Sequence, residues 1–170
     1  MKAQAVIKNG EVTYMNESVD TTVDTILPID VTLDENAVLP EQAHLGDAGM
    51  DLVASEDVVL PAFKPVLVPT GIKMAIPFGY EGQVRPRSGL SLKGVTVWNS
   101  PGTIDALFRG EIKVILMYIP HPERGITYEI KKGDRIAQLV VAKCEQVQLN
   151  PVLFLDETVR GEGGFGSSGK

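Results

Sequence analysis

Short apolar runs closed by glycine or proline set the pattern of this chain. Val58–Leu60, Val66–Val68, Ile72–Ile76, Gly82–Val84, Val95–Trp98, Glu111–Tyr118, Ile126–Ile130 and Arg135–Ala142 carry the β-branched and aromatic residues of short strands. Pro61, Pro65, Pro69, Pro77, Gly79, Pro86, Pro101, Gly102, Pro120, Pro122, Gly125 and Gly133 punctuate them. No long stretch repeats apolar residues at i, i+3, i+4 and i+7 free of Gly or Pro, so extended helices are not expected. Gly89–Lys93 reads as one helical turn or a loop. Many short strands with Pro/Gly turns predict an all-β sandwich, jelly roll or closed barrel.

Two segments differ. Residues 1–26 are polar and acidic around a candidate hairpin, Gln4–Ile7 and Val12–Met15 flanking Asn9-Gly10. Residues 160–170 are rich in glycine and serine, with Phe165 the one bulky apolar side chain beyond Arg160, too little to bury an ordered element. The expected organisation is an N-terminal extension (1–26), a β domain (27–159) and a flexible Gly-rich lid (160–170).

The 170 residues suit one domain, and 44% apolar with 22% charged residues is ordinary globular usage. A net charge of −6 argues against a general nucleic-acid binder. Charge is uneven, however: four lysines face thirteen acids in residues 1–84, and twelve bases face nine acids in residues 85–170. Such a division suits a compact anion in the second half, although a solvated surface is the commoner cause. One cysteine, Cys144, excludes an intramolecular disulfide framework and a Cys-rich zinc site. The run Val114–Ile119 is too short to cross a bilayer, and the start of the chain has no secretory h-region, so a reducing, cytoplasmic setting is expected without membrane association.

Four segments hold the chemistry. In the tail, Gly161–Gly166 matches a dinucleotide-site pattern and Gly164–Lys170 resembles the start of a Walker A loop. Neither is followed by the helix whose N-terminus must face phosphate, so both are rejected. The tail still offers free backbone N–H groups, the hydroxyls of Ser167 and Ser168, a guanidinium from Arg160 and a stacking ring from Phe165. Pro86-Arg87-Ser88-Gly89-Leu90 gathers a guanidinium, a hydroxyl and a permissive backbone; its plainer reading is a turn. In Asn99–Glu111, Pro101-Gly102 sets a turn, Asp105 is placed to orient or deprotonate a water, and Asn99 can read an amide-like base edge; the plainer reading is a hairpin with a capping Asp. In Lys132–Leu139, period 2 puts Ile136 and Gln138 on one face, and a Gln among apolar neighbours points to a cleft or interface. His and carboxylate residues form no cluster with metal-ligand spacing, so a Mg²⁺ here would be carried by substrate phosphates.

In order, a further segment and these four resemble the five motifs of the trimeric dUTPase family. The first is Asp47-Ala48-Gly49-Met50-Asp51-Leu52, followed by Pro86–Leu90, Gly102–Glu111, Gly133–Gln138 and Arg160–Gly169. The resemblance covers roughly residues 27–170, and five motifs in order are far more specific than any one. It implies a jelly-roll-like β-barrel, a homotrimer with shared active sites, and hydrolysis of dUTP to dUMP and pyrophosphate by water attack on the α-phosphorus. That reaction limits uracil incorporation into DNA and supplies dUMP for dTMP synthesis. Mg²⁺ is implied as the ion bound by the triphosphate.

By the same resemblance, Asp105 positions the attacking water. Ser88 and Gln138 hold the phosphates around the scissile bond, with Arg87 and Gly89 in the same motif. Asn99, Gly102, Thr103 and Ile104 form the uracil pocket, and Lys113 adds a substrate contact. Arg160, Phe165, Gly166, Ser167 and Ser168 close over the nucleotide, with Phe165 capping the uracil. Asp51 supports the site and is linked to metal through water. The third motif usually has Tyr where this chain has Phe108, which keeps a ring against the deoxyribose but loses the phenol. Two effects are open: weaker discrimination against UTP, or altered hydrogen bonding.

Rival readings are a dCTP deaminase of the same fold, a nucleotide-gated interaction protein using residues 1–26 as its arm, and a ligand-free structural jelly roll. A deaminase would carry a Glu base in the third motif and lack the Gly-Phe tail, so Ile104-Asp105 and Phe165 disfavour it. A pure binder has no need of an aligned acid, and the third reading leaves the polar clusters unexplained.

Overall fold

The computed structural model describes residues 26–164, together with the backbone of two strands, β1 (Ala5–Lys8) and β2 (Glu11–Tyr14). These two pair antiparallel from Ala5 opposite Tyr14 to Lys8 opposite Glu11, in register with the expected hairpin.

The body holds eleven further strands and one four-residue helix. β3 (Asp30–Leu33) pairs with β7 (Ile72–Ala75), and β5 (Val58–Pro61) with β12 (Thr127–Ile130). β6 (Val66–Pro69), β11 (Lys113–Tyr118) and β9 (Val95–Val97) form a three-stranded sheet in the order β6-β11-β9. The largest sheet runs β10 (Gly102–Ile104), β8 (Tyr80–Arg85), β13 (Arg135–Lys143), β4 (Met50–Val53), all neighbours antiparallel. Together they close a jelly-roll-like β-barrel around one apolar core. Eight of these strands coincide with the expected runs. β3, β4 and β10 were not expected, because polar or acidic residues interrupt their apolar pattern.

Alternation explains which faces meet. On β7, Ile72 and Met74 are buried while Lys73 is exposed; on β8, Gly82 and Val84 point inward. Leu52, Leu60, Ile72, Leu116, Ile136 and Leu139 are among the fully buried core side chains, each contributing about 1.5–3 kcal/mol by leaving water. Buried polar groups are partnered: the Thr70 hydroxyl donates to the Ile112 carbonyl at 2.6 Å, and the Tyr118 hydroxyl donates to that of Gly125 at 3.1 Å.

Two irregularities position the functional segments. A β-bulge between Arg135 and Ala137 breaks the period of β13, so successive residues Ile136 and Ala137 both enter the core. The expectation that Ile136 and Gln138 share one face is therefore corrected; Gln138 shares its face with Val140. Gly94 (φ +85°), after the helical turn α1 (Ser88–Ser91), sits so close to β11 that a Cβ would lie 2.1 Å from the Ile119 carbonyl oxygen. Among the described residues the last strand ends at Lys143, so the described sheets stop short of residue 159. Beyond it Leu153, Phe154 and Leu155 are 92%, 88% and 84% exposed.

Candidate active site

Three strands of the large sheet bring distant segments into one row. Gln138 on β13 lies opposite Asp51 on β4 and opposite Arg85 at the end of β8. Beyond Arg85 the chain turns at Pro86 and enters α1, which sets Arg87 and Ser88 over the row. The Gln138 amide nitrogen donates to the Pro86 carbonyl at 2.8 Å, fixing the side chain to the start of that turn. Arg87 Nε donates to Asp51 Oδ1 at 2.7 Å, and Arg135 Nη1 donates to Asp51 Oδ2 at 3.0 Å. The Asp51 side chain is only 18% exposed, so this bracket works in a partly desolvated setting where ionic hydrogen bonds are strong. Arg87 Nη1 also donates to the Arg135 carbonyl at 3.1 Å, tying α1 to the bulged strand.

The row lies between two cavities. One, of about 320 Å³, is lined by Gly49, Asp47, Asp51, Arg85, Arg87, Ser88 and Gln138, among others. The second, of about 600 Å³, is lined by Gln83, Arg85, Pro86, Ser88, Ser91, Ser100, Pro101 and Gln138. The segment expected as a hairpin is a crossover: β9 belongs with β11, whereas β10 pairs with β8. Its turn, with a cis Ser100–Pro101 peptide, forms the rim of the second cavity. Asn99 folds back on Gly102, its amide nitrogen 3.2 Å from where a Gly102 Cβ would stand.

Asp105 lies apart from this row. Ile104 is level with Gly82 and Gln138 with Arg85, so Asp105 sits farther down the sheet and two strands across. Strand rise and spacing put its Cα roughly 16 Å from that of Gln138. Asp105 is exposed, and its carbonyl accepts the Phe108 amide at 3.0 Å in a tight turn.

A dUTPase family model matches residues 35–169. The chain belongs to the dUTPase family. The deoxyuridine 5'-triphosphate nucleotidohydrolase of Clostridium tetani is 50% identical over 139 residues, covering 81% of this chain and 93% of that protein. That of Nocardia farcinica is 54% identical over 138 residues, covering 81% and 82%. Among solved structures, a Staphylococcus bacteriophage 80alpha dUTPase variant with dUpNHpp superposes with a TM-score of 0.74 at 32% identity, over 84% of this chain and 99% of that one. A variant dUTPase of phage phi11 of S. aureus, described as coordinating a structural Mg(II) ion, gives 0.69 at 29% identity, over 75% and 98%.

Of the residues singled out by resemblance to the dUTPase family, the structure gathers Asp51, Arg87, Ser88 and Gln138 in one place. Gly89 lies within α1, and Gly102, Thr103 and Ile104 form β10 at the edge of the same sheet. Lys113 opens β11 in the other sheet, with its ammonium 3.3 Å from Glu111. The Glu111 carboxylate in turn accepts the Gly71 amide at 2.9 Å. Arg160 is exposed and donates from Nε to the Gly163 carbonyl at 2.8 Å. Phe165, Gly166, Ser167 and Ser168 lie outside the described residues. Both Asp51 oxygens accept from guanidinium groups, a geometry that orients Arg87 and Arg135. No group of three or more His, Cys, Asp or Glu among the described residues is placed to hold a metal. Sequence reasoning missed Arg85 as a lining residue. Its signal was the alternation of β8, which puts Glu81, Gln83 and Arg85 on the face opposite buried Gly82 and Val84.

Proposed function

We propose that the chain hydrolyses dUTP to dUMP and pyrophosphate as a homotrimer with three shared sites, in the cytoplasm and without direct nucleic-acid contact. Its family and its roughly 50%-identical relatives named deoxyuridine 5'-triphosphate nucleotidohydrolase support the reaction. The observation that supports sharing is the separation of Asp105 from the Asp51–Gln138–Arg85 row. A water-orienting carboxylate must reach the α-phosphorus that Ser88 and Gln138 hold, and a span of roughly 16 Å exceeds any side chain. A second copy offering its Asp105 to this row completes the constellation. The exposed apolar side chains of residues 147–155 fit the same reading, since an arm that leaves its own body gains stability by covering a neighbour.

In this reading Asp105 orients a water in line with the bond to pyrophosphate. Water oxygen bonds to the α-phosphorus while its proton passes to the Asp105 carboxylate, the bond to the bridging oxygen breaks, and that oxygen leaves with its electron pair as pyrophosphate. Such displacements depend on alignment and charge neutralisation more than on covalent help. Ser88 and Gln138 donate to phosphate oxygens, while Arg87, fixed by Asp51, supplies positive charge. Mg²⁺ enters with the triphosphate as part of the substrate, whose phosphate oxygens leave few ligands for the protein to supply. The Asn99–Ile104 crossover reads the uracil, Phe108 packs on the deoxyribose, and Lys113 adds a contact. Residues 160–170 close over the nucleotide and exclude water, Arg160 meeting phosphate and Phe165 capping the base.

Pyrophosphate release with Mg²⁺ from dUTP, dCTP, dTTP and UTP, measured side by side, tests the reaction: release confined to dUTP is expected. Sharing is tested by co-expressing Asp105→Asn and Gln138→Ala chains. Each alone is inactive in this scheme, and mixed trimers must regain activity. No recovery in purified mixed trimers places the whole site within one chain.

A further inference from the structure

Arg85 differs from the other two guanidinium groups of the site in having no acid. Arg87 and Arg135 both pair with Asp51, whereas no carboxylate among the described residues lies within 4.0 Å of Arg85. Its Nε donates instead to Gln83 Oε1 at 2.9 Å, and its Nη2 donates to the same oxygen. That amide is fixed in turn, because Gln83 Nε2 donates to Glu81 Oε1 at 2.7 Å. A neutral carbonyl orients a cation without cancelling it. The residue is half-buried, so its charge is screened less than that of a surface arginine. Among the described residues it is also the one charged group lining the second cavity, where Ser88, Ser91, Ser100, Gln83 and Gln138 supply hydroxyls and amides.

We propose that Arg85 is a phosphate-binding residue of the dUTP site, reaching the phosphate chain from the second cavity, and that Gln83 is its positioning residue. The inference rests on the dUTPase reading above and adds a contact that motif matching does not supply. Guanidinium forks pair well with phosphate oxygens, and two of the five N–H donors are already committed to holding the group in place. Arg85 stands opposite Gln138 across β8 and β13, so both address the same phosphate from adjacent strands.

The test compares Arg85→Gln with the unmodified protein. The readouts are binding of a non-hydrolysable dUTP analogue with Mg²⁺, pyrophosphate release from dUTP, melting temperature and oligomeric state. Analogue binding is expected to weaken about tenfold or more, the scale of one charge-assisted hydrogen bond, with melting temperature and assembly unchanged. Unchanged analogue affinity overturns the proposal, and so does a loss of assembly with affinity intact, which makes Arg85 an interface residue. Gln83→Glu covers the case in which Arg85→Gln does not fold. It keeps Arg85 in place but neutralises it, and must raise KM for dUTP, whereas a merely structural bracket would leave KM alone. Absence of pyrophosphate release by the unmodified protein would instead sink the dUTPase reading itself.

Discussion

Gly49 and Gln138 leave no room between them: a Cβ on Gly49 would stand 2.2 Å from Gln138 Oε1. The clash falls on the far end of a flexible side chain, so Gly49→Ala is expected to fold, at a cost of about 1–3 kcal/mol for overpacking. The amide must swing away, however, and give up its hydrogen bond to Pro86. If Gln138 positions phosphate as proposed, displacing it by an ångström costs roughly 100-fold in turnover efficiency. Steady-state kcat/KM and a thermal melt separate the two effects. A full retention of kcat/KM would show that Gln138 does not need this placement.

Asp105→Asn preserves shape and hydrogen bonding to the Phe108 amide, which uses the backbone carbonyl rather than the carboxylate. In the proposed mechanism it removes the charge that aligns and polarises the water. A loss of about 10²–10⁴ in kcat is expected, with analogue binding intact. Retained kcat would remove Asp105 from its role.

Strands were legible in the sequence wherever apolar residues alternate without interruption, as in β7 and β11. β4 was not, because Asp51 sits mid-strand, and the reason for an acid there is tertiary: it bridges Arg87 and Arg135 from segments far along the chain. β10 escaped because its Gly and Thr read as turn residues, while its pairing partner β8 lies some twenty residues upstream. The bulge in β13 likewise has no local signature, and it reversed the face assigned to Ile136. Motif order named Arg87, Ser88 and Gln138, which do assemble. It left out Arg85, whose role depends on which cavity a side chain lines. The separation of Asp105 from that row is a matter of register, visible only once β10, β8 and β13 are aligned.

Asp57 lines neither cavity and so provides a control. Its carboxylate accepts the Lys132 amide at 2.8 Å and meets the Lys131 ammonium at 3.4 Å. The Lys132 amide is the main reason its pKa is lowered, with Lys131 assisting against desolvation. A lowered carboxylate contributes stability above its ordinary pKa and loses it as pH falls through the folded value. Lys131 is raised, chiefly by Glu129 and then Asp57, so its part is lost only as pH rises through that raised value. Asp57→Asn should therefore melt slightly lower than the unmodified protein at neutral pH, the gap closing in acid, with dUTP turnover at neutral pH unaltered. A gap that widens in acid would contradict the lowered pKa.

Removing residues 160–170 separates a lid from a structural tail. Arg160 is exposed and its hydrogen-bond partner, the Gly163 carbonyl, lies within the same segment. The deletion is expected to leave the melting temperature within a degree or two while reducing kcat/KM by about 10²-fold or more, because an open site admits water and loses phosphate contacts. A large fall in melting temperature would make the segment part of the folded body.

In the proposed reaction Phe108 packs on the sugar and reads the ribose. Its ring is 40% exposed and lies over Gly110, where a Cβ would stand 2.6 Å from Cζ. The turn closed by the Phe108 amide on the Asp105 carbonyl holds this ring beside the catalytic candidate. Phe108→Tyr adds its hydroxyl at Cζ, the ring atom nearest Gly110. A ring pressed on the deoxyribose rejects a 2′-hydroxyl by shape, and a phenol fixed by hydrogen bonding makes that wall stiffer. The dUTP over UTP ratio of kcat/KM is expected to rise by about 1 kcal/mol, or several-fold, the scale of one neutral hydrogen bond. An unchanged ratio would mean that the ring alone sets selectivity and that the missing phenol costs this protein nothing.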